Sequence, residues 1–448
     1  MKIQRFSRIG FIMAAAGSAV GLGNIWKFPY MTGEYGGGAF VLVYLITIAF
    51  IGFSVMVAEM LIGALGRLDT VSSFEELAPP DKKQWKYAGF MGFNGIIIMT
   101  FYSVVIGWIF YYLFRLLNGL PSTTDKAKDI FNTLVGNEPG IQIFWHTVAV
   151  LIVGYIVYKG IKGGIEKINL ILMPSLMAIL FGLLFYAFTL DGFEKAFEFM
   201  FAPKWEKLNS EAIVRAVGHS FFTLSLGMGA ILTYAASLPK NANITQTALI
   251  VTFMDTLIAL VAGLVIFSFL FQFGAEPGQG PGLVFISLPT ILKNFGTLGI
   301  FFALMFFLAL AFAGITSAIS LVEPVVQYLI DRFDYTRTKA VVVTSFIYWI
   351  VGIGALLSYT KEWGEMFSIG KKPLFDILEY TTDSILLPLG GLLIAIFVGY
   401  ILHKDRVRAA LEHEMGDRVF HIWRFSIRYI APVALIFMML NLMGIIKI

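Results

Sequence analysis

"AAAGSAVGLGNIWKFPY", residues 14 to 30, starts as a membrane helix and then departs from one. Ala14 to Ala16 favour a helix, whereas Gly17, Gly21 and Gly23 each weaken it by about 1 kcal/mol relative to Ala. Asn24 and Lys27 are costly in hydrocarbon, and Pro29 withdraws a backbone donor. Bare peptide groups at membrane depth need a partner that lipid cannot supply. A break here therefore points to something polar held inside the bilayer.

The rest of the chain supplies the membrane character. Of its 448 residues 58% are hydrophobic and only 14% charged, too little polar surface for a soluble protein of this length. Segments able to cross a hydrocarbon core of about 30 Å recur throughout. Eleven are expected, at 9–33, 38–65, 87–117, 142–160, 166–190, 213–236, 243–273, 298–330, 338–358, 374–402 and 424–446. The stretch "GPGLVFISLPTILKNF" (280–295) is too short to cross and reads as a re-entrant or surface hairpin capping one face. The fold class is all-α polytopic membrane protein, and residues 1–448 form a single transmembrane domain without linker or soluble module. Cysteine is absent, which excludes disulfides, thiolate metal sites and cysteine nucleophiles. The pI near 8.9 needs no nucleic-acid partner, because basic residues gathered on one membrane face account for it. Lys2, Arg5 and Arg8 run straight into a long apolar segment, so no cleavable leader is expected. With the N-terminus cytoplasmic, 20 of the 33 Lys and Arg fall on that side, in 2–8, 67–86, 159–167, 240, 332–339 and 404–428. Eleven spans then put the C-terminus outside the plasma (inner) membrane.

The opening break does not stand alone. "GHSFFTLSLGMGAILTY" (218–234) also packs Gly, Ser, Thr and His into a spanning segment. One break lies in the first span and the other in the sixth, an odd separation, so the two segments enter the membrane from opposite sides. That is the pattern of inverted repeats whose interrupted helices meet at the midplane, here 9–190 and 213–402, followed by an eleventh helix at 424–446. Unwinding frees carbonyls for a cation and exposes half-helix N-termini to an anion. Close helix packing is the alternative use of glycine. It accounts for a lone Gly-rich span better than for two at corresponding positions.

"GSAVGLGNIWKFPY" (17–30), "GGGAF" (36–40) and "FFTLSLGMG" (221–229) resemble the neurotransmitter:sodium symporter family of LeuT fold, from about Arg8 onward. The resemblance implies a 5+5 inverted repeat with helices 1 and 6 unwound at the midplane. It is to the bacterial eleven-helix amino-acid carriers in particular. It also implies two sodium ions. The first would meet the Ala19 carbonyl, the Asn24 amide oxygen, Thr223 and Asp255. The second would meet the carbonyls of Gly17, Val20 and Ala313 and the hydroxyls of Thr316 and Ser317. These are hard oxygen donors, able to replace the water of a small cation. For the hydroxyls in "FAGITSAIS" (312–320), bonding within their own helix is the alternative. Many members carry Asn where this chain has Asp255, and chloride-dependent ones carry Ser where it has Ala259. The resemblance thus implies that Asp255 supplies the fixed negative charge and that transport needs no chloride. The alternative is an Asp protonated or paired for structure alone.

For a bound amino acid, the resemblance assigns the carboxylate to Leu22, Gly23 and the Tyr102 hydroxyl. The ammonium falls to carbonyls near Ala19, Phe222 and Thr223 and to the Ser225 hydroxyl. Gly21, where monoamine carriers bear Asp, favours an amino acid over an amine. Ile98, Phe222, Met228 and Leu321 would hold the side chain, with Ser18 and Ser317 beside them. "GMG" resembles members that take large hydrophobic and aromatic amino acids, from leucine-sized to tryptophan. Lys27 stands where the outer gate usually has Arg; its acid is Glu379 by alignment, with Asp376 and Asp383 also in reach. Asp331 matches the inner gate, with Lys2 nearest the basic partner's position, Arg5 at the family's Trp and Ser237 at its Tyr. Gly164 and Pro174 in "GIEKINLILMP" (164–174) would let the fifth span unwind and open a water path to the second sodium. Glu59 and Glu323 read as structural partners of backbone or hydroxyl groups, and His219 as part of the outer vestibule.

The expected function is a sodium-coupled symporter importing amino acids: not an enzyme, with sodium as its only ion, lipid around it and a functional monomer. A carrier of another small amino acid or amine is the nearest alternative. A channel would need a continuous polar pore, and the polar residues here cluster at the midplane. An intramembrane enzyme lacks any paired His/Glu motif. A non-transporting sensor of the same fold has the same sequence signature.

Overall fold

The computed structural model describes residues 5–446 apart from 240–241, 278–279 and 281. Among these, nine helices are long and apolar enough to cross a membrane, and Arg8–Ala19 with Gly23–Glu34 forms a further crossing bent by 45°. Ser210–Thr223 and Ala230–Ala236, joined by non-helical residues, form the second broken span. Together they give the eleven crossings read from the sequence.

Two boundaries differ from that reading. The third span is preceded by "PDKKQWKYAGFMGF" (80–93), tight 3-10 turns kinked at Lys82, before the regular helix starts at Asn94. The eleventh begins at Asp417 and carries Arg418, Arg424 and Arg428 within its helix. An apolar-run criterion stops where charge begins, whereas a helix continues through the polar interface as long as its backbone bonds are satisfied. The short Leu283–Phe295 segment does not cross. It packs on the Thr124–Asn137 helix, with Phe131 and Phe285 stacked at 5.4 Å, as a cap on one face.

The two broken spans occupy the centre. The first packs against the fifth, seventh and eighth spans and against the second half of the sixth. Ala14, Ala15, Ala16, Val20 and Ile25 are fully buried there. The sixth breaks for a conformational reason. Ser225, Gly227 and Gly229 have φ of 53°, 74° and 73°, a left-handed backbone that glycine adopts without a Cβ clash. The peptide groups so released are recaptured. Glu59, fully buried in the second span, accepts from the backbone N–H of Gly227 at 3.1 Å and of Leu232 at 3.4 Å. Gly63, one turn further along, lets the Leu232 carbonyl sit where any side chain would stand.

Glu59 thus has the backbone partners expected of it. Glu323 differs, because its partner is a guanidinium: Arg337 Nη2 donates to it at 2.5 Å. Arg337 also donates through Nε to the Val157 carbonyl at 2.7 Å, tying the ninth span to the end of the fourth.

Candidate functional site

After Ala19 the first helix opens, and residues from both broken spans converge on the gap. Asn24 is fully buried; its Nδ2 donates to Asp255 Oδ1 at 2.7 Å and to the Asp255 carbonyl at 2.9 Å. Its Oδ1 accepts from the freed Gly21 N–H at 2.9 Å. Thr223 Oγ1 donates to the same Asp255 oxygen at 3.0 Å. Asp255 Oδ2 makes no close hydrogen bond among the described residues, and the Tyr44 hydroxyl lies beside the carboxylate. A buried carboxylate with one oxygen unsatisfied is expensive, and a small cation beside it would offset the cost. Asn24, Thr223 and Asp255, expected at the first ion, thus stand in one cluster, and the buried Ala19 adjoins it on the pocket wall.

The second set also assembles. Ser317 Oγ donates toward the carbonyls of Ser18 at 3.0 Å, Gly17 at 3.2 Å and Val20 at 3.4 Å, so the eighth span reaches the opened end of the first. Thr316 Oγ1 bonds within its own helix, to Phe312 O at 3.0 Å and Ala313 O at 3.1 Å. The hydroxyl of Ser317 and the carbonyls of Gly17, Ser18 and Val20 meet in one set of hard oxygens, while the Ala313 carbonyl accepts from Thr316 within its own helix.

Between the two clusters lies a pocket that closes on about 20 Å³. Ser18, Ala19, Gly21 and Gly23 form one wall, Ile98 and Tyr102 a second, and Phe222, Thr223, Ser225 and Met228 a third, with Ser317 and Leu321 completing it. Leu22 contributes its N–H, which donates to Tyr102 Oη at 3.3 Å, and its side chain lines the wider cavity above. Tyr102 therefore stands at the exposed N-terminus of the outer half-helix, where an anion is favoured. Ser225 Oγ donates to the Ser18 carbonyl at 2.7 Å, joining the two breaks directly.

Phe222 separates this pocket from an outer cavity of about 380 Å³. Lys27 Nζ lies over its ring, 4.6 Å from the centroid, and is hydrogen-bonded to Asp383 with Glu379 at 3.7 Å. Asp383 is the closer acid, one turn beyond the aligned Glu379, and Asp376 is taken by the Tyr359 hydroxyl. Lys27→Met leaves two neighbouring carboxylates without their cation and should slow uptake roughly tenfold or more. Adding Asp383→Asn should restore part of the rate. Initial uptake by reconstituted single and double variants checks both, and an unchanged single variant would show that the contact does not gate.

On the opposite face further contacts stand beside Asp331, the residue expected at the inner gate. Asp331 accepts from the Asp69 N–H at 3.2 Å and from Gln327 at 2.8 Å, while Lys2 lies outside the described residues. Neighbouring Arg332 bonds Glu75, and this bond, more than any other influence, holds the Glu75 carboxyl below its usual range. Phe6 is buried against Phe11 and Tyr234, and its N–H donates to the Ser237 carbonyl at 3.2 Å. Ser7 caps the first helix by accepting from Gly10 N at 3.0 Å, and Glu166 binds the Ser7 hydroxyl and accepts from its N–H at 3.2 Å. The sequence did carry a signal for this: Phe6 before the cap and Phe11 four residues after it make a hydrophobic staple. Glu166 belongs to a wide-wound turn, Ile161–Glu166, which includes Gly164; beyond it the fifth span stays helical through Pro174. His219 is buried beside Tyr44 and Phe28, 5.5 Å and 6.2 Å between ring centroids, with an edge toward the outer opening.

A family model described as "Sodium:neurotransmitter symporter family" matches residues 4–138 and 129–447. Similar chains include an uncharacterized sodium-dependent transporter, YhdH, of Bacillus subtilis, 34% identical over 99% of this chain and 98% of that one. An uncharacterized sodium-dependent transporter of Haemophilus influenzae is 36% identical over 96% of each chain. The crystal structure of MhsT in complex with L-phenylalanine superposes with a TM-score of 0.90 at 40% identity, covering 98% of this chain and 100% of that one.

Proposed function

The chain belongs to the sodium:neurotransmitter symporter family, and from that membership we propose that it imports hydrophobic and aromatic L-amino acids with sodium, by alternating access and without chloride. Membership makes it a multi-pass sodium-coupled transporter of LeuT fold, not an enzyme. The observation that carries the finer reading is that the pocket shares its walls with both oxygen clusters. Ala19 and Thr223 line it beside Asn24 and Asp255, and Ser317 lines it while touching the Gly17 and Val20 carbonyls. A substrate carboxylate at Leu22, Gly23 and Tyr102 would lie next to the first cation, so each ligand favours the other's binding.

The two oxygen sets suit sodium at two sites, one with the Asp255 charge and one neutral. The apolar lining of Ile98, Phe222, Met228 and Leu321 supports a large hydrophobic side chain; Met228 can repack around varied shapes. The MhsT complex supports the same substrate class, having phenylalanine bound. Outer closure rests on Phe222 and on Lys27 with Asp383 and Glu379. Inner closure rests on Phe6, Ser7 and Asp331, and the Gly164–Pro174 stretch of the fifth span loosens to let sodium out. The broken first and sixth spans move against the helices packed around them, with the N-terminus in the cytoplasm.

Proteoliposomes test this directly. Uptake of phenylalanine, tryptophan or leucine should exceed that of glycine or a monoamine, collapse when choline replaces sodium, and persist when gluconate replaces chloride. Accumulation undiminished in choline overturns the symport reading. Strict chloride dependence overturns the role given to Asp255.

A further inference from the structure

The fifth span carries a buried amide that neither oxygen set uses. Asn169 is fully buried, and its Nδ2 donates to the Ile165 carbonyl of the preceding turn at 2.8 Å. That bond fixes the amide's orientation, and the oxygen is left without a partner among the described residues. Oδ1 points at the α-carbon of Gly17, in the space a side chain there would fill, and Thr316 Cβ lies 3.1 Å from the same space. Asn169 therefore faces the place where the first, fifth and eighth spans meet, one helical turn nearer the inner face than the Val20 carbonyl. Its helix packs on both spans that carry the second oxygen set. A buried carbonyl oxygen held free costs stability unless something electropositive visits it. A Cα–H contact with Gly17 compensates only weakly.

We propose that Asn169 Oδ1 is a station for sodium leaving the second site: the next oxygen the ion meets after the Gly17 carbonyl on its way inward. The inference rests on the symport reading. Ser317 and the carbonyls of Gly17 and Val20 would hold the ion without a fixed charge among them. A neutral amide oxygen placed next to them lets the ion shed those ligands one at a time rather than all at once. The position is also poised to move. Asn169 lies midway between Gly164 and Pro174, and loosening this stretch breaks the bond to Ile165 and swings the amide toward the inner face.

The test uses the purified full chain as wild type, Asn169→Leu and Asn169→Asp, with radioactive sodium as the probe. Leucine keeps the volume and removes the oxygen. Asn169→Leu should bind sodium at equilibrium within about twofold of wild type but release it on dilution about tenfold more slowly, the expected result of losing one buried polar ligand on the path. Asn169→Asp should bind sodium more tightly, because the added charge deepens the station into a well. A purely structural role for the amide does not separate rate from affinity in this way. Wild-type release from a folded Asn169→Leu overturns the inference while leaving symport intact. Absence of saturable sodium binding in the wild type overturns the symport reading itself.

Discussion

Asp255→Ala should raise the sodium concentration needed for amino-acid binding by two to three orders of magnitude while leaving the protein folded. The Asp255 carboxylate is fully buried, receives Asn24 at 2.7 Å and Thr223 at 3.0 Å through one oxygen, and has the Tyr44 hydroxyl beside it while its other oxygen makes no close hydrogen bond. Neutral donors do not neutralise a full charge in an apolar helix; a cation does. Removing one side of such a pair costs about 3–5 kcal/mol, which is about 10²–10³ in affinity. Binding of labelled phenylalanine to purified protein, titrated with sodium, reads the shift. Asp255→Asn keeps the hydrogen-bonding shape without the charge and should fall between wild type and alanine. Wild-type sodium dependence in a folded alanine variant would mean that Asp255 serves structure alone.

Gly21→Asp should abolish amino-acid uptake through charge added to crowding. A side chain at Gly21 would point between Ser317 Oγ at 2.5 Å and Tyr102 Oη at 3.1 Å, into the room proposed for the substrate carboxylate. Two carboxylates about 4 Å apart repel by about 4 kcal/mol near a protein surface, or about a thousandfold in affinity. Gly21→Ala already forces Ser317 Oγ to move and should lose uptake too, but less than Gly21→Asp, which adds charge to the same crowding. An amine lacking a carboxylate should escape the repulsion, so its binding relative to phenylalanine should rise in Gly21→Asp. Equal losses from Ala and Asp would place the substrate carboxylate elsewhere.

The breaks were legible because each is written twice, in residues that cannot hold a helix and in polar atoms that lipid cannot satisfy. Gly17 to Asn24 and Ser225 to Gly229 show both marks. The pocket lining came from the family resemblance, and Ile98, Tyr102, Ser317 and Leu321, which it implied, line one pocket in the structure. The gates were harder to read. Asp376, Glu379 and Asp383 lie about one or two turns apart, and only the bend of the first helix decides which of them Lys27 reaches. Glu166, the first residue of the fifth span read from the sequence, carried no expected role; its bond to Ser7 depends on how a distant helix begins. The polar arms of the third and eleventh spans were missed because apolar runs mark the membrane, not the helix.

In the proposed cycle the staple at Phe6, the cap at Ser7 and the Glu166 bond belong to the inner door. A bulky group attached close before Phe6 would then be a weight hung on the latch, pulling at the first helix whenever it tilts. A purification handle at that end would change the speed of the cycle it was meant only to report, and a phosphate placed on Ser7 would repel Glu166 and leave the door ajar.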